Sequence, residues 1–350
     1  MNTTTRHTDR SVRVAAAHVA SPMLDRERCI AKACTWIERA ADEGVGLVAF
    51  PESFVPGFPI WNALLRPIDG HRFFHRLADN ALRTDGPQFD ALRETARRCR
   101  VFVSLGFTEV SDVSPGCLWN SNALIGADGR LLNVHRKLVP TFYEKLTWNH
   151  GDAAGLRVVD TEIGRIGSLI CGENGNPLSR YMLMAQAEEI HTANYPPVWP
   201  FRDPRGSGGY DLSEAIRVRS AAHAFEAKTY VVVSAGYLDE ETMEVLCESD
   251  PERRAILEAC PRSASMIVAP SGEALAGPWS DGETLISTDV DLAPLVELRQ
   301  HHDMAGYYNR MDLIKVSVNR RRPRPLAWEE DDPSGGQSDA PTVQECWTEN

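Results

Sequence analysis

Short and almost uninterrupted apolar runs recur along most of the chain, and they predict β-strands. The runs are rich in β-branched residues and contain few charged positions. This pattern is typical of strands that are covered on both faces. We therefore expect buried sheets, with strands at residues 12–19, 46–50, 101–107, 122–125, 166–170, 230–235, 265–269 and 285–290.

Amphipathic segments lie between several of these runs and predict helices. In residues 25–42 and 86–100, apolar side chains recur every three or four residues, and residues 176–189 and 211–227 repeat the pattern. The Ala127-Asp128-Gly129 sequence between two apolar runs predicts a hairpin turn. Strands that alternate with helices and then pair as hairpins predict an α/β domain with layered sheets.

The same pattern suggests how the chain is organised. Its 350 residues allow one large domain or two ordinary ones. Because the strand-rich pattern continues from residue 12 to about residue 319, we expect one domain there, after a flexible N-terminus at residues 1–11. Residues 320–350 begin with an arginine run and continue with acidic, proline and glycine residues, which predicts a disordered tail. The arginine run could also form a docking patch, but a solvated tail is the simpler interpretation.

Composition and charge exclude several classes of partner. The chain has 37 basic and 49 acidic residues, a net charge of −12. This balance disfavours nucleic acid and anionic membranes as partners, because both are bound through basic surfaces. The polar N-terminus lacks the apolar stretch of a signal peptide, and no run approaches the roughly 18 apolar residues of a membrane span. We expect a cytoplasmic protein whose eight cysteines are mostly free thiols.

Three segments place a reactive side chain just after an apolar run. Glu52 could act as a general base if burial raises its pKa. Lys137 could hold a positive charge beside a developing anion, and Glu144 in the following loop could pair with it or orient a substrate. Cys171 ends the third run. Because strand ends are where sites form in open α/β sheets, these side chains are candidates for one site.

The surroundings of Cys171 favour a nucleophile. The apolar run ends at the cysteine, a turn of glycine and asparagine follows, and Pro177 suits the first position of a helix. Such a junction predicts an exposed sulfur near helix N–H groups, which favour the thiolate. Taken singly, each candidate has a structural alternative: Cys171 as a small apolar residue, Lys137 as a surface lysine and Glu52 as a solvated carboxylate.

Five longer segments resemble the nitrilase branch of the carbon–nitrogen hydrolases, and the resemblance runs from about residue 12 to residue 319. The segments are FPESFVPGFP (50–59), HRKLVPTFYE (135–144), CGENGNPLSRYMLMAQ (171–186), IHTANYPPVWP (190–200) and GYYNRMDLI (306–314). The resemblance implies a four-layer α-β-β-α sandwich. It also implies a homodimer that extends into a larger homo-oligomer or spiral.

The resemblance further implies a role for each candidate. Cys171 would be the nucleophile, Glu52 the general base, Lys137 the stabiliser of the tetrahedral state and Glu144 a second, substrate-positioning glutamate. A nitrile would be hydrolysed to a carboxylic acid and ammonia through a thioimidate and a thioester. This chemistry requires no metal and no organic cofactor.

Two departures from the family pattern bear on the substrate pocket. Gly172 follows the nucleophile where many nitrilases carry tryptophan, which changes the space beside the sulfur. A late Gly-His-Tyr motif is replaced by Gly306-Tyr307-Tyr308. By family position the apolar pocket candidates are Phe54, Phe58, Trp61, Tyr195 and Trp199, and ordinary packing is an equal alternative for these aromatics.

Other functions remain to be weighed against a nitrilase. Hydrogen cyanide is an alternative substrate, and an amidase or carbamoylase would use the same residues. A non-catalytic assembly protein is disfavoured because all the reactive residues are retained. His71 and His75 are spaced like zinc ligands but lack the H-E-x-x-H glutamate, so we interpret them as surface residues. The absence of G-x-S-x-G disfavours a serine hydrolase.

Overall fold

A computed structural model describes residues 10–206 and 210–323. Within them the strands are, in chain order, β1 (Ser11–His18), β2 (Leu47–Ala49), β3 (Phe102–Val110), β4 (Leu118–Ile125), β5 (Leu131–Arg136), β6 (Val159–Thr161), β7 (Gly164–Ile170), β8 (Ile190–Tyr195), β9 (Tyr230–Ala235), β10 (Ser265–Val268), β11 (Ala274–Trp279) and β12 (Thr284–Asp291). The helices are α1 (Arg26–Asp42), α2 (Trp61–Leu64), α3 (His71–Asp79), α4 (Pro87–Cys99), α5 (Pro177–Met184), α6 (Leu212–Ala227), α7 (Glu240–Cys247), α8 (Pro251–Ala259) and α9 (Leu295–His301).

The strands form two six-stranded sheets. The first sheet has the order β12-β1-β2-β3-β4-β5, and the second has the order β11-β10-β9-β8-β7-β6. Strands β1, β2 and β3 are parallel in the first sheet, as are β7, β8 and β9 in the second. Because β4 is antiparallel to both β3 and β5, the carboxyl ends of β2, β3 and β5 meet at the same edge.

Strand β1 shows why the apolar runs are nearly uninterrupted. Val12, Val14 and Ala16 belong to a cluster that joins both sheets, whereas Ala15 and Ala17 pack with the helices outside the first sheet. Successive side chains of a strand point to opposite faces, so a strand buried on both faces needs apolar residues at nearly every position. The expected burial on both faces is confirmed for β1 and for other central strands such as β8, whereas the edge strand β11 is mostly exposed.

Helices cover the outer face of each sheet. Helices α1 and α4 contribute their apolar stripes to the core outside the first sheet, and α6 packs on the second. Asp25 begins α1 by accepting a hydrogen bond from the Arg28 amide, and Pro177 begins α5. The architecture is therefore the α-β-β-α sandwich that the resemblance implies, with the expected hairpin at residues 126–130 between β4 and β5.

Some boundaries differ from the sequence-based expectation. The helix expected over 176–189 ends at Met184, because Ala187 takes a left-handed φ of 58° and β8 begins soon after. The last strand, β12, ends at Asp291, as expected from the run at 285–290. The strand-rich pattern expected to continue to about residue 319 is absent, because only α9 follows β12 and residues 302–323 contain no helix or strand. The tail expected beyond residue 323 and the N-terminus before residue 10 lie outside the described residues. No helix in the described ranges is long and apolar enough to cross a membrane.

Candidate active site

The three candidate segments meet between the two sheets. Glu52 follows β2 and Lys137 follows β5 at one edge of the first sheet, while Cys171 follows β7 of the second. The reactive atoms of Glu52, Glu144 and Cys171 all lie within 4.8 Å of one another. Lys137 Nζ lies 2.8 Å from Glu52 Oε1. The structure thus brings all four predicted catalytic residues together.

A buried ammonium group links the two carboxylates. Lys137 Nζ donates hydrogen bonds to Glu52 Oε1 and, at 2.9 and 2.7 Å, to both oxygens of Glu144. Burial alone would lower the pKa of Lys137, but the charges of Glu144 and Glu52 outweigh it and raise that pKa well above its usual value. Burial and the charge of Glu52 raise the pKa of Glu144 to about 7 despite the lysine. Lys137 therefore remains a cation inside the site.

Asn120 completes the surroundings of Glu52, and the sequence reasoning missed it. Its Nδ2 donates a 2.7 Å hydrogen bond to Glu52 Oε1, the oxygen that Lys137 also holds. The other oxygen, Glu52 Oε2, is buried without a partner among the described residues. Oε2 is therefore the atom free to accept a proton. The available signal for Asn120 was the polar stretch Asn120-Ser121-Asn122 in β4, directly before the apolar end of that strand.

Cys171 is buried and rests as a thiol. Its exposed fraction is 6%, and helix α6 packs over the short turn Cys171–Gly175 that separates it from α5. Burial and the charge of Glu52 raise the pKa of the thiol well above its usual value. The expected exposed thiolate is therefore wrong, because burial and the neighbouring carboxylate both favour the neutral thiol. The nucleophile needs a base to take its proton.

Glu173 connects the lysine segment to the cysteine segment. Its Oε1 accepts a 2.6 Å hydrogen bond from the backbone N–H of Leu138, and its Oε2 lies 3.0 Å from the N–H of Ile170 and 2.9 Å from His135 Nε2. Burial would raise the pKa of this carboxyl, but the charge of His135 and these donors lower it. One carboxylate thus bonds the residue after Lys137 and the residue before the nucleophile.

Two of the predicted pocket residues lie in one aromatic cluster. Trp199 stacks on Tyr143 with ring centroids 4.4 Å apart, and its ring meets Phe58 edge-on at 6.0 Å. Phe58 also meets Trp148 at 5.5 Å. Tyr143 directly precedes Glu144, and its buried hydroxyl has no partner in the described ranges. The structure therefore adds Tyr143 to the candidates that the sequence supplied.

The other pocket candidates have different surroundings. Trp61 is 1% exposed and stacks on Phe73 with ring centroids 5.3 Å apart. Phe54 packs against Phe50 at 5.3 Å. Tyr195, at the end of β8, packs in the same cluster as the nucleophile.

Gly172 borders an open groove of about 340 Å³ between the loop after Lys137 and the start of α5. A Cβ at Gly172 would lie 3.0 Å from Thr141 Oγ1 and within 4 Å of no other non-adjacent atom. The space beside the nucleophile is therefore larger than a tryptophan at this position would leave it.

Within residues 10–206 and 210–323, two groups of side chains have the composition of metal ligands. One is Glu52, Glu144 and Cys171, whose carboxylates bond Lys137 and Asn120. The other is Glu188, His191 and His223, with N···O distances of 2.8 and 2.7 Å. In a tetrahedral zinc site with bonds of about 2.1 Å, the ligand atoms would be roughly 3.4 Å apart. The shorter distances are those of hydrogen bonds.

The two histidines His71 and His75 lie on the exposed face of α3, as expected for surface residues. They lie on a separate helix from Glu188, His191 and His223. They therefore add nothing to either group of possible ligands.

Comparison with known proteins gives consistent matches. The carbon–nitrogen hydrolase family matches residues 13–300. A protein named as a nitrilase from Paraburkholderia phymatum is 35% identical over 91% of this chain and 89% of its own. An arylacetonitrilase from Aspergillus kawachii is 34% identical over 88% of this chain and 92% of its own. The crystal structure of a carbon–nitrogen hydrolase from Helicobacter pylori covers 86% of this chain and 96% of its own, with 19% identity and a TM-score of 0.66, a likeness of fold.

Proposed function

The chain belongs to the nitrilase branch of the carbon–nitrogen hydrolase family, and from this premise we propose that it hydrolyses a nitrile to a carboxylic acid and ammonia. The observation that carries the proposal is the Glu52 carboxylate, which has an unpartnered oxygen, within 4.8 Å of the Cys171 thiol, with Lys137 fixed between two carboxylates. A buried thiol with an adjacent base and a fixed cation suits attack on a weakly electrophilic carbon.

The first half of the reaction forms a thioimidate. Glu52 Oε2 takes the proton from Cys171 Sγ as the sulfur bonds to the nitrile carbon. The same proton then passes from Glu52 to the nitrile nitrogen. Lys137, held by Glu52 and Glu144, stabilises the negative charge that develops on the way.

The second half releases ammonia and then the acid. Glu52 takes a proton from a water molecule whose oxygen adds to the thioimidate carbon, and passes that proton to the nitrogen. The proton left on the added oxygen then follows through Glu52 to the same nitrogen as the carbon–nitrogen bond breaks, so that ammonia leaves and a carbonyl forms. The thioester that remains is cleaved by a second water, which returns the proton to Cys171. In this mechanism no metal or organic cofactor takes part, and Glu144 keeps Lys137 and the substrate in position.

The substrate pocket in this proposal combines the aromatic cluster with the groove at Gly172. Phe58, Trp199 and Tyr195 would contact the organic part of the nitrile, with Trp61 as a further apolar side chain. An arylacetonitrilase among the relatives supports testing arylaliphatic nitriles first.

The test is ammonia release from aliphatic, arylaliphatic and aromatic nitriles, from cyanide and from the matching amides. We expect turnover of one nitrile class that Cys171→Ala abolishes, whereas Cys34→Ala, which changes a half-buried thiol on α1, retains it. Turnover of amides alone would identify an amidase and refute the proposal, and turnover of cyanide alone would narrow it to a cyanide dihydratase. Unchanged ammonia release by Cys171→Ala would refute the mechanism.

We also propose that the chain forms a homodimer through α5 and α6 and extends to larger homo-oligomers. These adjacent helices expose Leu178, Val218 and Phe225, each more than half accessible. Light scattering should report a dimer or larger particle that Phe225→Glu dissociates, and a monomeric parent protein would refute this.

A cytoplasmic location suits the free thiols of the described cysteines, and fractionation of cells would test it.

A further inference from the structure

The nucleophile has an unfavourable backbone conformation that a neighbouring side chain holds. Cys171 has a φ of 51°, in the left-handed region that residues other than glycine rarely adopt. Asn174 Nδ2 donates hydrogen bonds to the carbonyl oxygens of Cys171, at 3.0 Å, and Leu169, at 3.1 Å. The amide of Asn174 thus bonds the chain on both sides of the residue whose side chain reacts.

A buried histidine fixes the orientation of that amide. Because Asn174 donates both of its amide hydrogens to carbonyls, its Oδ1 can only accept. His191 Nε2 lies 2.8 Å from this oxygen and must therefore carry a hydrogen. His191 is completely buried and Asn174 is 1% exposed. The network determines which nitrogen of the ring is protonated.

Glu188 holds His191 from the other side. Its Oε1 lies 2.8 Å from His191 Nδ1, and its Oε2 lies 2.7 Å from His223 Nε2. The strand β7 makes room for this carboxylate at Gly167, since a Cβ there would lie 1.9 Å from Glu188 Oε1. All three titratable side chains are fully buried.

The protons of this network can be counted. Burial opposes ionisation of Glu188, but His191 and His223 lower its pKa to about 2, so it is a carboxylate. Its two hydrogen bonds are then donated by the rings. His191 donates from both nitrogens and carries a positive charge, whereas burial and the charge of His191 lower the pKa of His223 to about 4 and keep it neutral. The network has no net charge, as its burial requires.

We propose that His191 and Glu188 are positioning residues that act through Asn174 to hold Cys171 in its left-handed, reactive conformation. The proposal rests on the proposed role of Cys171 as the nucleophile. A charged donor strengthens the hydrogen bond to Asn174 Oδ1 and polarises its amide towards the two carbonyls. Without this hydrogen bond, the turn Cys171–Gly175 can relax and move the sulfur away from Glu52.

Three variants distinguish the contributions of the Asn174 donors, of the support by His191 and of the charge on His191. Asn174→Asp keeps the size of the side chain and its bond to the charged His191, but it removes the donors to both carbonyls. His191→Phe removes the support of Asn174. Glu188→Gln can still bond both histidines, because its amide accepts from one ring and donates to the other, but it discharges His191.

The measurements are kcat, KM and the melting temperature, together with the alkylation rate of Cys171 by iodoacetamide, followed by mass spectrometry. A displacement of about 1 Å costs about 100-fold in rate, so we expect Asn174→Asp and His191→Phe to lower both kcat and the alkylation rate by about that factor. KM should stay within about threefold of the parent value, because substrate contacts are unchanged. Glu188→Gln should lose less than about tenfold.

His18→Phe is the matched control, since His18 is an equally buried histidine that bonds Ser265 on the other side of the second sheet. It should lower the melting temperature without changing the alkylation rate. The proposal is overturned if folded Asn174→Asp alkylates and turns over within about twofold of the parent, or if His18→Phe slows alkylation as much as His191→Phe does. Turnover that survives Cys171→Ala would instead refute the proposed function, and the alkylation series would still test the positioning.

Discussion

Glu173→Gln should weaken the link between the segment that carries Lys137 and the segment that carries Cys171, and it removes none of the reacting groups. The carboxylate accepts from the amides of Leu138 and Ile170 and from His135. A glutamine has one accepting oxygen, so its NH₂ group would face an N–H donor where the second oxygen now lies. At least one buried backbone donor then loses its acceptor.

The expected cost follows from the number of donors affected. A buried donor left without a partner costs roughly 1–3 kcal/mol, and bonds to a charged acceptor are at the upper end. We therefore expect Glu173→Gln to lower the free energy of unfolding by about 2–4 kcal/mol at neutral pH. Lys137 and Cys171 lie next to the bonded amides, so a shift of about 1 Å between them should lower kcat by about 100-fold.

The assay combines urea unfolding with steady-state ammonia release on the best nitrile. Glu162→Gln is the matched control, because Glu162 is exposed in the turn between β6 and β7, and it should change neither quantity. Because the pKa of Glu173 is lowered in the folded state, its stabilisation is present above the ordinary glutamate pKa and is lost as the pH falls below it. A Glu173→Gln protein with parent-like stability and kcat would refute the bridging role.

Three further outcomes follow from the site. Asn120→Leu removes a donor to Glu52 and should lower kcat by about tenfold while KM changes little, as steady-state kinetics will test. Gly172→Ala should fold normally, since only Thr141 crowds the new methyl, but it should slow arylacetonitriles more than small aliphatic nitriles in paired assays. His223 has a pKa of about 4 in the folded protein, against an ordinary 6.5. As the pH drops from 6.5 to 4, this histidine is therefore protonated in the unfolded chain before it is protonated in the folded one. The free energy of unfolding should fall over this pH range by up to about 3 kcal/mol. Urea unfolding at both ends of this range should show a smaller fall for His223→Gln.

The strands and the candidate reactive residues have local signals in the sequence, whereas the four-layer sandwich and the role of each residue were implied by the resemblance to the nitrilase branch. Many of the strands are short runs rich in apolar residues, and Glu52, Lys137 and Cys171 each lie at or just after the end of such a run. Pro177 likewise marks the start of α5. Helices α7 and α8 were missed although Asp239 and Asp250 cap them, since their apolar stripes are short.

The remaining parts depend on contacts between distant segments, which a sequence pattern does not encode. Asn120 is one of three consecutive polar residues in β4, and only the pairing of β2 with β3 and of β3 with β4 brings it to Glu52. Glu188 and His223 are 35 residues apart yet share a hydrogen bond. The state of the Cys171 thiol depended on burial under α6, so the expectation of an exposed thiolate failed.

The base and the cation belong to one sheet and the nucleophile to the other. Enzymatic activity therefore depends on how the two sheets pack against each other, and not only on the formation of the strands. If warming shifts one sheet against the other by less than the length of a side chain, the enzyme should lose its activity. The circular dichroism spectrum should at that point still show the full secondary structure. Heat inactivation below the melting transition would then measure the rigidity of the sandwich interior.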